Sequence, residues 1–298
     1  MVKVLLLLIL ASCASSTPDE ANLLDLTALK AKHETYLELS KQHQGAGGFV
    51  DDTDCDSLLF SSLYSYAGGE IEVTVAQGEP GRWYRTPAHD CYPDRSGSDI
   101  SRDMLLGLLF HALKYKDSSI SHDLIGYGEQ NGWVMGDGSH TRTWLNPGFR
   151  KTIALLDKKL SNDSSNNRYL RFPDVWGSRL TGYQAHLIVL HLTLRDMISG
   201  KIDEAGDRVV SAQYQRSPGN ALFSFLYHKY HGGDQTGTLR ILMDEALFPA
   251  GKLPTTNERC EPYLWQRDEP YAPCPEEEKE HAGVDFLFVS RLIIDQFK

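Results

Sequence analysis

A charged pair stands directly before a strongly apolar segment in the first half of the chain. Arg102 and Asp103 precede the run from Met104 to Phe110. Burying such a pair costs free energy unless both groups find partners, so one interpretation is a structural ion pair. The other interpretation is a catalytic site. There Asp103 would supply a carboxylate for acid or base chemistry, and Arg102 would supply a cation that neutralises an anionic group.

Two further candidate residues precede other apolar segments. Asp56 comes before Ser57 to Tyr66, and His281 comes before Val284 to Phe297. Taken alone, Asp56 is also a good helix N-cap. If the apolar helices run parallel, their N-terminal ends gather at one mouth, where unpaired N–H groups attract carboxylates and anions. Asp103 and Asp56 would then be the two carboxylates that a glycoside hydrolase needs, whereas His281 would be the base of a lyase.

The tryptophans lie between the predicted helices, in segments that also contain polar residues. A flat indole ring suits the apolar face of a sugar, and Arg, Asp and Gln suit hydroxyl or carboxylate groups. Packing beneath a disulfide loop explains one or two of the five tryptophans without any function. Asp137 is also a third candidate carboxylate. The expected substrate-binding residues are Trp83, Arg85, Trp133, Asp137, Trp176, Arg179, Trp265 and Gln266.

Several other kinds of chemistry lack their usual sequence signals. The chain has no G-x-S-x-G elbow, P-loop or G-x-G-x-x-G fingerprint. His228 and His231 are three residues apart, but no acidic third ligand is spaced to complete a zinc site, so solvent-facing histidines are the preferred interpretation. We expect neither a metal nor a cofactor. The net charge of −10 and the lack of a basic run argue against a nucleic-acid partner.

The first thirteen residues, MVKVLLLLILASC, predict export. Lys3 precedes an apolar run from Val4 to Ala11, and this run is too short to cross a bilayer. Its end, Leu10-Ala11-Ser12-Cys13, resembles the lipobox of bacterial lipoproteins, in which the signal is cut before the Cys and the Cys is lipidated. The alternative is an ordinary signal peptide, with Cys13 discarded.

The lipoprotein resemblance implies an organisation for the whole chain. Residues 1–12 would be the signal peptide, residues 13–23 a flexible Ser/Thr/Pro-rich and acidic tether, and residues 24–298 a single domain. Ala14, rather than Asp, follows the lipidated Cys13, which resembles the sorting signal for the outer membrane of Gram-negative bacteria. Contact with a membrane would then be only through the lipid anchor.

The remaining cysteines fit an exported protein. There are four, Cys55, Cys91, Cys260 and Cys274, and an even number in an oxidising compartment predicts two disulfides. Three pairings are possible. Cys55 with Cys91 and Cys260 with Cys274 are favoured, because each pair closes a short loop rich in Pro, Gly and Tyr. Four reduced, buried thiols are the alternative.

Hydrophobic patterning predicts a mainly α-helical domain. Segments apolar on nearly every face predict buried helices at Ser57–Tyr66, Met104–Leu113, Tyr183–Ile198 and Val284–Phe297. Amphipathic segments predict outer helices at Leu24–His43, Ser119–Gln130, Phe149–Leu160, Asp203–Tyr214, Ala221–Tyr230 and Thr236–Ala246. Extended patterns are few. Glu70 to Val75 predicts a strand, and the weaker signal from Arg82 to Arg85 predicts either a partner for it in a small β-hairpin or a loop.

The alternation of buried and amphipathic helices predicts two layers of α/α hairpins, with successive helices antiparallel. This architecture resembles an incomplete or compressed (α/α) toroid, a fold of many glycan-active enzymes. The resemblance implies a glycoside hydrolase or polysaccharide lyase at the cell envelope, acting on a polysaccharide in a cleft at the N-terminal ends of the inner helices. The alternative is a non-catalytic envelope lipoprotein that binds a glycan or a protein partner.

Overall fold

The domain is mainly helical and has one continuous apolar core. The structure, a computed structural model, describes residues 18–50, 55, 57–89, 91, 100–138, 142–174, 176–177, 180–254 and 280–297. This part of the chain contains ten α-helices and a small antiparallel β-hairpin, so the predicted fold class is confirmed. Among the described residues, no helix has the length and apolar character needed to cross a bilayer.

Every predicted helix is present, and most ends lie within three residues of those predicted. The first helix is the exception, since it begins at Pro18, so the prediction of a flexible tether is wrong for residues 18–23. The helices are α1 (Pro18–Ser40), α2 (Ser57–Ala67), α3 (Arg102–Tyr115), α4 (Ser118–Gln130), α5 (Pro147–Ser161), α6 (Gly182–Ser199), α7 (Glu204–Arg216), α8 (Ala221–Tyr230), α9 (Thr236–Met243) and α10 (Val284–Gln296). Strands β1 (Val134–Asp137) and β2 (Arg142–Trp144) form the hairpin.

Local sequence explains where several of these helices begin and end. The side chain of Asn146 accepts a hydrogen bond from the N–H of Phe149, and Pro147 occupies the first turn of α5. Asn220 caps α8 in the same way. At the other end, α3 stops at Lys116 and α6 stops at Gly200, both in the left-handed conformation that terminates helices.

Five helices close into an inner ring. Helices α2, α3, α6, α8 and α10 contact one another in that order, and α10 returns to contact α2. Four of these helices, α2, α3, α6 and α8, run in the same direction. Asp103 and Tyr183 meet near the starts of α3 and α6, whereas Asp196 meets Tyr230 near the ends of α6 and α8. Helix α2 runs parallel to α3, because Leu59 lies against Gly107 and Ser65 lies against His111. These four helices therefore present their N-terminal ends on one side of the domain.

The contact between α2 and α3 is unusually close, because Gly107 has no side chain. A Cβ atom built at residue 107 would lie 3.0 Å from the carbonyl oxygen of Leu59. Nearby, Tyr66 and Phe288 both meet the ring of Phe110 edge to face, at centroid distances of 5.7 and 4.9 Å, and they meet each other as tilted rings at 5.4 Å. These aromatic rings fill the centre of the ring of helices, so the core is solid there.

The outer layer departs from the simple antiparallel arrangement that the sequence predicted. Helix α5 packs on α4 and on the outside of α3 and α6. It runs parallel to α6, because Thr152 contacts His191 and Lys159 contacts the carbonyl oxygen of Ile198. Helices α2 and α3 also run parallel. In both cases a long connection carries the chain back to the side on which the first helix began. The two antiparallel helices of a hairpin need no such connection.

The strand predicted from Glu70 to Val75 is wrong. Residues Val73–Ala76 form a short 3-10 helix, and the side chain of Glu72 accepts a hydrogen bond from the N–H of Thr74 at its start. Burial of Val73 and Ala76, three residues apart, suits this turn. The segment meets Arg82 to Arg85 only through one isolated bridge, between Gln77 and Trp83. The hairpin formed by β1 and β2 lies elsewhere in the sequence.

One of the two expected disulfides is present. Cys55 and Cys91 are bonded, with Cα atoms 6.0 Å apart and a sequence separation of 36 residues. The bond ties the segment before α2 to the segment before α3, so it holds together the approaches to two neighbouring inner helices. The other expected pair, Cys260 with Cys274, lies outside the described residues.

Candidate active site at the helix N-termini

The carboxylate of Asp103 lies buried between the first turns of α3 and α6. Its side chain is 4 % exposed. The hydroxyl of Ser101 donates a hydrogen bond to Oδ1, and the phenol of Tyr183 donates one to Oδ2. These described partners are hydroxyl groups, so Asp103 does not form the structural ion pair with Arg102.

Arg102 points in a different direction from its neighbour and is exposed. It lies at the rim of a cavity of about 150 Å³ between the first turns of α3 and α5 and the first half of α6. A volume of this size holds about five water molecules, or one small polar group with part of a ring. The lining residues are Arg102, Leu106, Asn146, Gly148, Phe149, Trp176, Leu180, Gln184, Leu187, Ile188 and His191.

One wall of the cavity is formed by aromatic and aliphatic groups. The ring of Trp176 meets His191 edge to face, with centroids 5.1 Å apart, and Phe149 meets the same imidazole at 5.1 Å. The indole N–H of Trp176 is buried and has no hydrogen-bond partner among the described residues. A buried indole N–H normally finds a partner.

A polar network lies behind this wall and fixes His191. Nε2 of His191 is 2.6 Å from the hydroxyl of Thr152. Arg195 reaches the same hydroxyl at 3.4 Å and makes a bidentate pair with Asp174, at 2.7 and 3.1 Å. Lys151 binds the same carboxylate at 2.7 Å. The network joins α5, α6 and the segment between them, and it orients the imidazole toward the cavity.

The protonation states of this network follow from burial and charge. Burial, helped by the positive charge of Arg195, lowers the pKa of His191 to about 3, so the imidazole is neutral at pH 7. Burial alone would raise the pKa of Asp174, but the hydrogen bonds and charges of Arg195 and Lys151 outweigh it and lower that pKa. Asp174 is therefore ionised and satisfied by two cations.

The cavity brings together Arg102, which was expected as a catalytic cation, and Trp176, which was expected to bind substrate. It does not include Trp83, Arg85 or the β-hairpin residues. Trp83 is 1 % exposed and lies in the core, and Arg85 is buried, with one guanidinium nitrogen 3.4 Å from the carbonyl oxygen of Cys55. Burial in the core does not fit the expected role of Trp83 in binding substrate.

The hairpin residues serve packing or lie at the surface. Trp133 is 6 % exposed and packs against Tyr169, while the guanidinium of Arg150 lies over its ring at 4.9 Å. Trp133 therefore packs in the core and does not line the cavity. Asp137 is exposed and lies 3.8 Å from Arg142, an exposed pair that contributes little stability. In this region the exposed indole is that of Trp144, at 49 %.

The other expected residues lie apart from the cavity or outside the described chain. His281 stands before α10, and its N–H donates to the carbonyl oxygen of Pro254 at 3.0 Å; it does not line the cavity. The residues outside the described part are Cys13, Asp56, Arg179, Cys260, Trp265, Gln266 and Cys274.

Three polar residues at this site were not identified as candidates from the sequence. Tyr183, Gln184 and His191 all belong to α6, whose apolar character predicted a purely structural role. Gln184 and His191 are seven residues apart and so share one face of the helix. The side chain of Tyr183 lies off that face and points toward α3, where its hydroxyl bonds Asp103. A test of each helix for polar residues on one face would have found Gln184 and His191.

A metal centre is not part of the described site. Over the residues that the structure describes, no three His, Cys, Asp or Glu side chains are placed to hold a metal ion. The cavity instead offers hydrogen-bond donors, a neutral imidazole and an exposed cation. Comparison of the chain with protein-family models, with curated proteins and with solved structures finds no match.

Proposed function

We propose that the chain is an envelope-anchored glycan-active enzyme, a glycoside hydrolase or polysaccharide lyase, that works at the N-terminal side of the helix ring. The observation that carries this proposal is the hydrogen-bonded pair of Asp103 and Tyr183 at the same side of the domain as the cavity of Trp176. The pair supplies an acid or base, and the cavity supplies a place for a substrate group beside it.

Tyr183 is the member of the pair that can meet a substrate. Its side chain is partly exposed, whereas Asp103 is buried behind it. Because the phenol donates to the carboxylate, Asp103 can accept the phenolic proton as Tyr183 takes a proton from a bound molecule. Tyr183 is therefore the catalytic candidate, and Asp103 acts through it as a positioning residue.

The paired variants Asp103→Asn and Tyr183→Phe test this proposal. Each should reduce turnover of a cleaved polysaccharide by about 100-fold or more, since general acid–base groups contribute about 10² to 10⁴ in rate. Asp103→Asn should also shift the pH profile, which a purely structural role would not do. Asp157→Asn is the matched control. Asp157 is also fully buried and bonded by Asn166 at 2.9 Å and Ser121 at 3.4 Å, but it lies near the far end of α5.

The outcomes separate the two functional classes. Loss of turnover in both variants, with Asp157→Asn at wild-type rate, supports catalysis. Unchanged turnover in Asp103→Asn and Tyr183→Phe would contradict it. If wild type binds glycans but cleaves none, the alternative of a non-catalytic binding lipoprotein is correct. One observation favours that alternative: the described lining of the cavity contains no carboxylate, although a hydrolase needs two.

Anchoring at the envelope is a separate part of the proposal and rests on the Leu10-Ala11-Ser12-Cys13 sequence. Expression of the full chain and of Cys13→Ala in a Gram-negative host, followed by detergent phase partitioning, tests it. Wild type should enter the detergent phase and Cys13→Ala should stay aqueous. A wild-type protein that stays aqueous would contradict lipidation.

A further inference from the structure

We propose that the cavity beside Arg102 binds the carboxylate of an acidic sugar. This inference rests on the proposed glycan function and adds the class of substrate. It starts from the charges around the cavity. Arg102 is exposed, and none of its described neighbours in the cavity carries a negative charge. The nearest described carboxylate in the network, Asp174, already binds both Lys151 and Arg195.

The described charged groups around the cavity are three cations, Arg102, Lys151 and Arg195, and two carboxylates, those of Asp174 and Asp103. The balance is therefore positive in a protein whose net charge is −10. Behind His191, two cations face the single carboxylate of Asp174, and Arg102 adds a third positive charge at the rim. The charge of Arg102 also contributes to the lowered pKa of His191, which places the guanidinium within electrostatic reach of the imidazole. A local positive region on an acidic surface selects for an anionic group.

The polar groups of the lining suit a carboxylate and its neighbouring hydroxyls. The guanidinium of Arg102 can bind a carboxylate with two parallel hydrogen bonds. The buried indole N–H of Trp176 lacks a partner among the described residues, and the exposed amide of Gln184 can donate or accept. Neutral His191 can bond a hydroxyl without adding charge. The first turns of α3 and α5 also face the cavity with their positive ends.

The shape of the cavity favours a sugar over a simple inorganic anion. Leu106, Phe149, Leu187 and Ile188 make much of the lining apolar. Binding of a small, fully hydrated ion would bury no apolar surface of the ligand against this lining. The C–H face of a sugar ring, in contrast, can pack against it. The volume of about 150 Å³ admits the carboxylate and the part of the ring that carries it. We therefore infer a uronic acid or another carboxylated sugar.

The test compares acidic oligosaccharides with their methyl esters, which keep the size and linkage but remove the charge. The probes are oligomers of galacturonate, glucuronate and mannuronate, with neutral oligosaccharides of galactose, glucose and mannose beside them. Binding to the full chain is measured by ligand-observed NMR and titration. Arg102→Gln should weaken binding of the acidic probe by about 10- to 100-fold, the usual effect of removing a charged hydrogen bond. Arg208→Gln, which alters an exposed Arg of α7 paired with Glu204, should leave binding unchanged.

Each outcome decides between the inference and the function on which it rests. Binding of an acid but not of its ester, lost in Arg102→Gln and retained in Arg208→Gln, supports the inference. Equal binding of acid and ester, binding of neutral oligosaccharides alone, or an unaffected Arg102→Gln would overturn the acidic-sugar assignment and leave the glycan function standing. Failure of every acidic and neutral probe to bind would overturn the proposed function together with the inference.

Discussion

Gly107 lies where α3 touches α2, and a side chain there should force these two inner helices apart. A Cβ atom at residue 107 would lie 3.0 Å from the carbonyl oxygen of Leu59 and 3.1 Å from Cβ of Ser62. Backbone atoms of a helix cannot turn aside as the end of a long side chain can. Overpacking of this kind costs about 1–3 kcal/mol. The higher helix propensity of Ala offsets about 1 kcal/mol of that cost.

Gly107→Ala should therefore lower the free energy of unfolding by about 1 kcal/mol and the melting temperature by about 2–4 °C for a domain of this size. Gly126→Ala, in α4, is the matched control. A Cβ atom there meets no described heavy atom within 4 Å, so only the gain in helix propensity remains. Stability of this variant should rise by up to about 1 kcal/mol. Urea unfolding followed by circular dichroism measures both. Equal changes in the two variants would refute the close contact of α2 with α3.

Two further predictions concern the disulfide and a buried histidine. Replacing both Cys55 and Cys91 by Ser should lower the free energy of unfolding by about 4 kcal/mol, the chain-entropy value for their separation of 36 residues, and unchanged urea unfolding would contradict this. Burial lowers the pKa of His33 to about 4, against the opposing effect of its hydrogen bond to Ala67. The folded-state pKa is below the unfolded value of about 6.5. The contribution of neutral His33 to the free energy of unfolding is therefore complete above pH 6.5, and it falls by about 3 kcal/mol as the pH drops to 4. His33→Gln should flatten that part of the stability profile, and an unchanged slope would contradict the assignment.

Patterns of apolar residues predicted the positions of the helices well. Burial against neighbouring helices determines which residues must be apolar and also stabilises the helices. Helices α2, α3, α6 and α10 are apolar on most faces since they lie in the inner ring and are covered by neighbours. The prediction of an outer helix at Ala221–Tyr230 is wrong, because α8 lies in the same ring with Ala221 to Leu226 buried. The same reasoning failed for Glu70 to Val75, where the alternation of residues is typical of a strand. There the contacts within two residues, from Glu72 to the N–H of Thr74, outweigh the pattern.

The site was predicted less completely than the fold, and the reason lies in α6. Arg102 and Asp103 were identified because charge beside an apolar segment is conspicuous in a sequence. Their separation into an exposed cation and a buried carboxylate was not visible, since successive helix residues point about 100° apart and only the neighbouring helices determine which one is covered. Tyr183 and His191 gained their roles from partners on α3 and α5, which are distant in the sequence.

The direction of α5 gives the cavity its electrostatic character. The two helices of a hairpin run antiparallel. Had α5 run antiparallel to α6 in this way, its C-terminal end would face Arg102 with exposed carbonyl groups and a partial negative charge. Because α5 instead runs parallel to α6, its first turn, with Asn146 and Gly148, lines the cavity. Each helix end changes the binding of a charged group by about 0.3–1 kcal/mol in its favoured sense. The parallel arrangement thus adds to the effect of Arg102 rather than opposing it, and the same arrangement places Asp174 where Lys151 and Arg195 can both bind it.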